Sequence, residues 1–170
     1  MIKLEKPDID VESIITDCTA NLTKQPILTH INASKTTIVS KSEKYNELAE
    51  KGQLGTLETH TMIEGGATKD DMVWLYDNKF VADGGRKYYD KIKAIPKYSK
   101  CPFCGVGIVS TLDHYLPKTK YPTYALTPVN LIACCADCNK NKKSEISETR
   151  NNEFIHPYYC LLYTSDAADD

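Results

Sequence analysis

The sequence lacks any long apolar run, and nowhere does it approach the ~20 consecutive apolar residues that a transmembrane helix needs. Its first residues, MIKLEKPDIDVE, also lack the basic-then-apolar order of a secretory signal. The formal net charge of −2 excludes a chain that is basic throughout. These absences predict a cytoplasmic protein with no membrane partner.

Without an export signal, the seven cysteines are not expected to form a disulfide scaffold. Four of them fall in two CxxC pairs, and a two-residue spacer lets both sulfurs of a pair turn toward one ion. This spacing predicts a structural Zn²⁺ site formed by Cys101, Cys104, Cys135 and Cys138. The other three are predicted to be ordinary thiols: Cys18, Cys134 and Cys160.

The segment between the two cysteine pairs carries a different set of chemical groups. A four-cysteine zinc site has no open position for water, so any catalysis must use other residues. His114 is the side chain best suited to accept a proton near neutral pH. Asp113 beside it and Asn139 downstream offer the oxygen ligands that Mg²⁺ or Mn²⁺ prefers.

These residues occur in the order CxxC, LDHYLPK, NLI and CxxCNxxK, which resembles the HNH (ββα-metal) endonuclease family. The resemblance implies a β-hairpin followed by a helix, with DNA as substrate. It implies His114 as general base, Asp113 and Asn139 as ligands of the catalytic ion, and Asn130 as the residue that fixes the loop and orients His114. The last position is Asn rather than His, which makes this an HNN variant.

An HPYY segment at 156–159 also resembles a subset of HNH proteins encoded beside ATPases in bacterial anti-phage systems such as Septu. That resemblance implies a role in defence or restriction, an ATPase partner protein, and a chain that continues further. Residues 160–170 instead resemble sequencing-adapter read-through, so we expect them to be foreign to the domain. His156 is expected to be a core residue, with a third metal-site ligand as the less favoured role.

Positive charge is concentrated around the motifs. Residues 86–143 contain eleven lysines and arginines against three acidic residues, a local excess of eight positive charges. A basic block at this place is typical of a protein that binds the phosphate backbone, although a solvated helix face is the alternative for residues 87–97. The side chains predicted to contact nucleic acid are Lys118, Lys142 and Lys143.

Hydrophobic periodicity and capping signals predict an α+β fold, with an HNH core stapled by zinc and preceded by a mainly helical region. The expected domains are a helical extension over 1–95, a nuclease domain over 96–159 and the foreign tail over 160–170. Residues 27–40 fit a helix or a strand. The predicted helices cover 9–22, 41–52 after an N-cap at Ser40, 68–81, 86–95 and 136–142, and the predicted strands cover 108–115 and 126–134.

The favoured interpretation is a metal-dependent DNA endonuclease. A non-catalytic zinc ribbon that binds nucleic acid or protein is the main alternative, although the Asp-His dipeptide speaks against it. A thioredoxin-type redox pair would leave the second CxxC unexplained. His30 and His60 have no second ligand at helical or turn spacing, so we expect both to be surface or hydrogen-bonded histidines.

Overall fold

A computed structural model describes residues 2–142 and 155–159. The described residues form five α-helices and one two-stranded antiparallel sheet. The elements in chain order are α1 (Val11–Thr19), α2 (Ile27–Glu50), α3 (Lys69–Leu75), α4 (Arg86–Lys93), β1 (Thr111–His114), β2 (Leu131–Cys134) and α5 (Ala136–Lys142). None of the described helices combines the length and apolarity that crossing a membrane requires.

Helix α1 confirms the amphipathic helix predicted near the amino terminus. Asp10 caps it by accepting hydrogen bonds from the backbone N–H groups of Glu12 and Ser13. The apolar positions at intervals of three and four all face the core: Val11, Ile14, Ile15 and Cys18. The Cys18 thiol is therefore a core group, as predicted, and its burial raises its pKa to about 12.

Helix α2 shows that the predicted start of a helix at Ser40 is wrong. The helix begins at Ile27, and the Ser40 hydroxyl donates to the Thr37 carbonyl in its middle. Its buried side chains recur at intervals of three and four, so the three isoleucines of 27–40 line one helical face. That buried face consists of Ile27, Ile31, Ser34, Ile38, Ser42, Tyr45 and Ala49.

Helix α3 begins at the predicted capping box, in which Thr68 and Asp71 exchange side-chain to backbone hydrogen bonds. The predicted helix to residue 81 is only partly α-helical, because the chain widens into one π turn over Tyr76–Phe80. The Tyr76 and Phe80 rings stack there, with centroids 5.2 Å apart, and both rings are buried. The turn thus delivers two aromatic side chains to the core next to β1.

The sheet is shorter than predicted. Strand β1 pairs with β2 from Thr111 opposite Cys134 to His114 opposite Leu131. Between the strands the chain forms two 3₁₀ turns that start at Pro122 and Pro128. Proline has no N–H to donate to a ladder, which explains why the second strand begins only at Leu131.

Helices and sheet share one apolar core. Ile31 of α2, Leu75 of α3 and Ile92 of α4 belong to the same buried cluster as Leu112 of β1 and Leu131 of β2. A second cluster lies under the loop between the strands and contains Tyr45, Leu116, Tyr121, Tyr124, Val129, Ile132 and Tyr158. The side chains of α2 therefore pack against both the sheet and the loop that follows the Asp-His pair.

Candidate zinc centre and active site

The four cysteines of the CxxC pairs come together at one point. Their sulfur atoms all lie within 4.8 Å of one another, and those of Cys104 and Cys135 are 4.0 Å apart. Sulfur ligands about 2.3 Å from a tetrahedral zinc lie about 3.8 Å from each other, so the cluster fits such an ion. The structure thus places the four cysteines in a position to bind a metal ion, which is consistent with structural zinc.

Backbone hydrogen bonds favour the thiolate form of Cys104, which is the form that binds a cation. The N–H of Gly107 donates to Cys104 Sγ at 3.2 Å. Hydrogen bonds from the Gly107 and Val106 N–H groups lower the pKa of Cys104 to about 6, which favours the thiolate. A Cβ at position 107 would lie 2.8 Å from the Cβ and Sγ of Cys135, so only glycine fits there. Cys134 lies outside the cluster as a buried thiol, as predicted.

His114 is the last residue of β1, and its imidazole is buried. Its Nε2 lies 2.9 Å from the Ala125 carbonyl oxygen, and its ring packs against Tyr76 with centroids 4.5 Å apart. A carbonyl only accepts, so Nε2 carries the proton and Nδ1 carries the lone pair. No hydrogen bond among the described residues uses Nδ1, while every fully buried side-chain nitrogen or oxygen among them has a partner. Nδ1 is therefore the ring nitrogen that can accept a proton.

Asp113 precedes His114 and forms a buried ion pair with Lys142 of α5. The Lys142 Nζ lies 2.6 Å from Asp113 Oδ2, 2.6 Å from the His114 carbonyl oxygen and 3.3 Å from that of Tyr115. The two side chains are only 6% and 13% exposed. Burial raises the pKa of Asp113, and the Lys142 ammonium opposes that shift. The carboxylate thus already engages one cation in a site that is nearly closed to water.

Asn130 lies fully buried in the 3₁₀ turn directly before β2, and all hydrogen-bonding capacity of its amide is used. Its Oδ1 accepts from the Leu116 N–H at 2.8 Å and from the Tyr45 hydroxyl at 2.9 Å. Its Nδ2 donates to the carbonyl oxygens of Leu116 and Tyr124. Tyr124 directly precedes Ala125, whose carbonyl holds His114. Asn130 therefore fixes the loop that supports His114, and the four bonds of its amide go to groups other than the imidazole.

The other predicted site residues are Asn139 and the three lysines that were predicted to contact nucleic acid. Asn139 is half-buried on α5, three residues before Lys142 and so on the same helix face. Lys118 pairs with Asp77 at 2.6 Å and lies 4.2 Å from the centre of the Tyr76 ring. Lys142 is bonded to Asp113 instead of facing solvent. Lys143 lies outside the described residues, as does Cys160 with the rest of the tail.

His30 and His60, the two histidines of the amino-terminal region, each form a hydrogen bond with a residue distant in sequence. His30 Nδ1 lies 2.9 Å from Asp71 Oδ2 and so ties α2 to the start of α3. His60 Nε2 lies 2.7 Å from the Thr123 hydroxyl oxygen. Both are hydrogen-bonded histidines that join distant parts of the chain.

The chain is similar to protein ea31 of Escherichia phage lambda. The two are 30% identical over 168 residues, which cover 93% of this chain and 56% of the phage protein. The chain thus spans about half the length of the curated relative it matches. No family model matches the sequence, and no solved structure matches it.

Sequence reasoning missed three features of the site. The Ala125 carbonyl cannot be recognised from sequence, because a backbone acceptor carries no residue-specific signal. Lys142 was expected to contact phosphate, yet it is the partner of Asp113. Tyr45 reaches Asn130 across 85 residues, a distance that no local pattern spans. For Lys142 alone the sequence held a signal, because the CxxCNxxK spacing places it one helical turn after Asn139 and so on the helix face predicted to point toward Asp113.

The buried pair predicts a large loss of stability for Lys142→Met. The substitution keeps an apolar chain of similar length but leaves Asp113 buried without a counter-ion, which costs about 3–5 kcal/mol for pairs of this kind. Urea unfolding measures the loss. The matched control is Lys118→Met, whose more exposed pair with Asp77 should contribute at most about 1 kcal/mol.

A double variant tests whether the unpaired Asp113 charge causes the loss of stability. Asp113→Asn combined with Lys142→Met removes both charges, and we expect the double variant to regain part of the lost stability. Equal unfolding free energies for Lys142→Met and Lys118→Met would contradict a buried ion pair at this position.

Proposed function

We propose that the chain is an HNH-type, metal-dependent endonuclease that hydrolyses DNA phosphodiester bonds. The observation that carries the proposal is the arrangement of His114, whose Nε2 is held by the Ala125 carbonyl while Nδ1 keeps its lone pair. Asp113 lies beside it, and α5 follows the β1–β2 hairpin with Asn139 on the face that reaches Asp113. This order of hairpin and helix supports the resemblance noted in the sequence.

In this proposal His114 is the general base. A water molecule at Nδ1 gives its proton to the ring, and the resulting hydroxide attacks phosphorus in line. The bond from phosphorus to the O3′ leaving oxygen breaks as the new bond forms, and O3′ takes a proton from water, which leaves a 5′-phosphate and a 3′-hydroxyl. Burial lowers the pKa of His114 to about 3, with smaller contributions from Lys118 and Lys142, so the ring is neutral and able to accept a proton at pH 7. A phosphate bound next to the ring would stabilise the imidazolium and raise that pKa as the proton is transferred.

Asp113 and Asn139 are the residues that would hold Mg²⁺ or Mn²⁺. Two observations support these residues as ligands of a divalent ion. The Asp113 carboxylate binds the Lys142 ammonium in the structure. Asn139 lies on the same helix face as Lys142 and therefore on the side of α5 that faces Asp113. Two oxygen ligands suit Mg²⁺, which keeps several waters. When bound, the ion supplies positive charge that offsets the charge developing on the phosphate.

The basic block supports DNA as the substrate, although part of it is neutralised. Arg86, Lys87 and Lys118 pair with acidic residues. By contrast, several exposed lysines make no ion pair with any residue of 2–142 or 155–159. They are Lys91, Lys97, Lys120 and Lys140. These side chains are free to contact phosphates, and Lys143 is proposed to join them.

The domain assignment belongs to the same proposal. We propose that residues 96–159 carry the catalytic groups and that the helices of 1–95 support them through the shared core. A role in restriction or anti-phage defence, an ATPase partner protein and a cytoplasmic location stay predictions from the sequence.

A plasmid-nicking assay tests the proposed activity. We expect the purified protein to convert supercoiled plasmid to nicked and linear forms with Mg²⁺ or Mn²⁺, and to stop when EDTA removes the ion. The His30→Gln variant, altered at a histidine that bonds to Asp71 of α3, should cleave at the parental rate. Binding of DNA without metal-dependent cleavage would instead support the zinc-ribbon alternative.

A further inference from the structure

Behind Asn130 lies a chain of side-chain hydrogen bonds that the proposed mechanism does not use. The Tyr45 hydroxyl of α2 lies 2.9 Å from Asn130 Oδ1 and 3.2 Å from His156 Nε2. Tyr45 and Asn130 are fully buried, and His156 is buried as well. Three residues from distant parts of the chain thus meet beneath the loop that supports His114.

The directions of these bonds follow from which atoms can donate. Leu116 N–H donates to Asn130 Oδ1, so this oxygen is an acceptor and the Tyr45 proton must point toward it. A phenol has a single proton, so His156 Nε2 must be the donor in its bond to Tyr45. The Tyr158 N–H lies 3.4 Å from His156 Nδ1, which agrees with a lone pair on that nitrogen.

The neutral form of His156 required by these bonds is also the form that burial favours. Burial lowers the pKa of His156 to about 3, so the ring carries one proton at neutral pH. Aromatic rings surround it and fix its position: the centroid of Tyr115 lies 4.1 Å away, that of Tyr159 4.7 Å and that of Tyr158 5.7 Å.

We infer that His156 and Tyr45 are positioning residues of the proposed nuclease, acting on His114 through Asn130 and the Ala125 carbonyl. The sequence of donors runs from His156 Nε2 to Tyr45, from Tyr45 to Asn130, and from Asn130 Nδ2 to the Tyr124 carbonyl. The next residue, Ala125, presents the carbonyl that keeps the proton on His114 Nε2. The HPYY segment therefore secures the tautomer in which Nδ1 can accept a proton.

This inference rests on the proposed function for its kinetic consequence but not for its structural one. Tyr45→Phe keeps the ring in the aromatic cluster and removes only the hydroxyl. We expect kcat of plasmid nicking to fall roughly 10- to 100-fold, because catalysis is this sensitive to small displacements of a reacting group. The KM for DNA and the Mg²⁺ requirement should stay at parental values, since the exposed lysines and Asp113 lie outside the relay.

Two further variants separate positioning from general stability. His156→Leu removes the donor to Tyr45 and should match Tyr45→Phe, whereas His156→Gln keeps an N–H at a similar place and should recover most of the parental kcat. The matched control is Tyr159→Phe, which removes a phenol hydroxyl bonded to Asn46 in the same cluster. All rates are measured well below each variant's Tm, so that loss of folded protein does not enter.

The ring ¹⁵N spectrum of His114 gives a readout that does not need cleavage. The parent and Tyr159→Phe should show one Nε2-protonated tautomer, and Tyr45→Phe and His156→Leu should show a mixture of the two. If the parent does not cleave DNA but the spectra change as expected, the proposed function fails and the positioning role stands. A single unchanged tautomer in Tyr45→Phe and His156→Leu overturns the inference.

Discussion

Replacing Cys101 by serine is expected to cost the protein its zinc and most of its folded population. Cys101 is fully buried in the four-cysteine cluster. A serine there leaves three thiolates, and water cannot reach the buried fourth ligand position to replace the lost sulfur. Structural zinc contributes about 10–16 kcal/mol of binding free energy in small domains. That value is as large as the whole stability of a typical domain, about 5–15 kcal/mol.

The measurement combines zinc content with thermal unfolding. The reduced parent should carry close to one zinc per chain, and Cys101→Ser should carry little and unfold at a much lower temperature. Cys134→Ala is the matched control, because Cys134 is also fully buried, neighbours a ligand and lies outside the cluster. It should keep its zinc and lose only the modest stability of a small cavity. A folded, reduced parent without zinc would refute the assignment.

Removal of the His114 imidazole is expected to abolish cleavage while leaving DNA binding intact. General base catalysis is worth about 10²- to 10⁴-fold, and no other histidine among the described residues lies next to Asp113. His114→Ala removes both the base and the packing against Tyr76. His114→Gln is the sharper variant, since its amide can still donate to the Ala125 carbonyl but cannot accept a proton as an imidazole does.

Asp113→Asn provides the contrasting result. An asparagine keeps an oxygen for the Lys142 ammonium, so the fold should survive, but it binds a divalent ion more weakly. We expect Asp113→Asn to need a higher Mg²⁺ concentration for cleavage and to regain part of the parental rate with Mn²⁺. Mn²⁺ should not restore cleavage by the His114 variants, because a metal ion does not replace the missing base. Nicking at the parental rate by His114→Gln, in a preparation shown to be free of contaminating nuclease, would refute the proposed mechanism.

Local patterns were sufficient to predict the elements that depend on local interactions. The capping box at Thr68, the amphipathic spacing of α1 and the two CxxC pairs each concern residues close in sequence, and the structure places them as predicted. The start of α2 was missed because threonine and isoleucine favour strands intrinsically, and only tertiary burial of one face selects the helix.

For the proposed site, the sequence supplied candidate residues but not their contacts. His114, Asp113 and Asn130 were predicted from a resemblance to a family motif, whereas their partners lie on elements that no periodicity connects. Lys142 is an example, because a lysine near predicted phosphate contacts is expected to face solvent, yet three oxygen acceptors make its burial possible. Long-range partners of this kind are set by the topology rather than by neighbouring residues.

The hydrogen bonds of Tyr45 to Asn130 and His156 join residues far apart in sequence, which determines how late in synthesis they can form. A chain leaves the ribosome from its amino terminus, so α2 emerges well before Asn130, 85 residues later, and His156, 111 residues later. Contacts between residues so far apart form late, because closing the intervening loops costs entropy first. In the proposed mechanism, a nascent chain therefore lacks the support for His114 until residue 156 has emerged, and an incomplete chain does not carry an assembled proton acceptor.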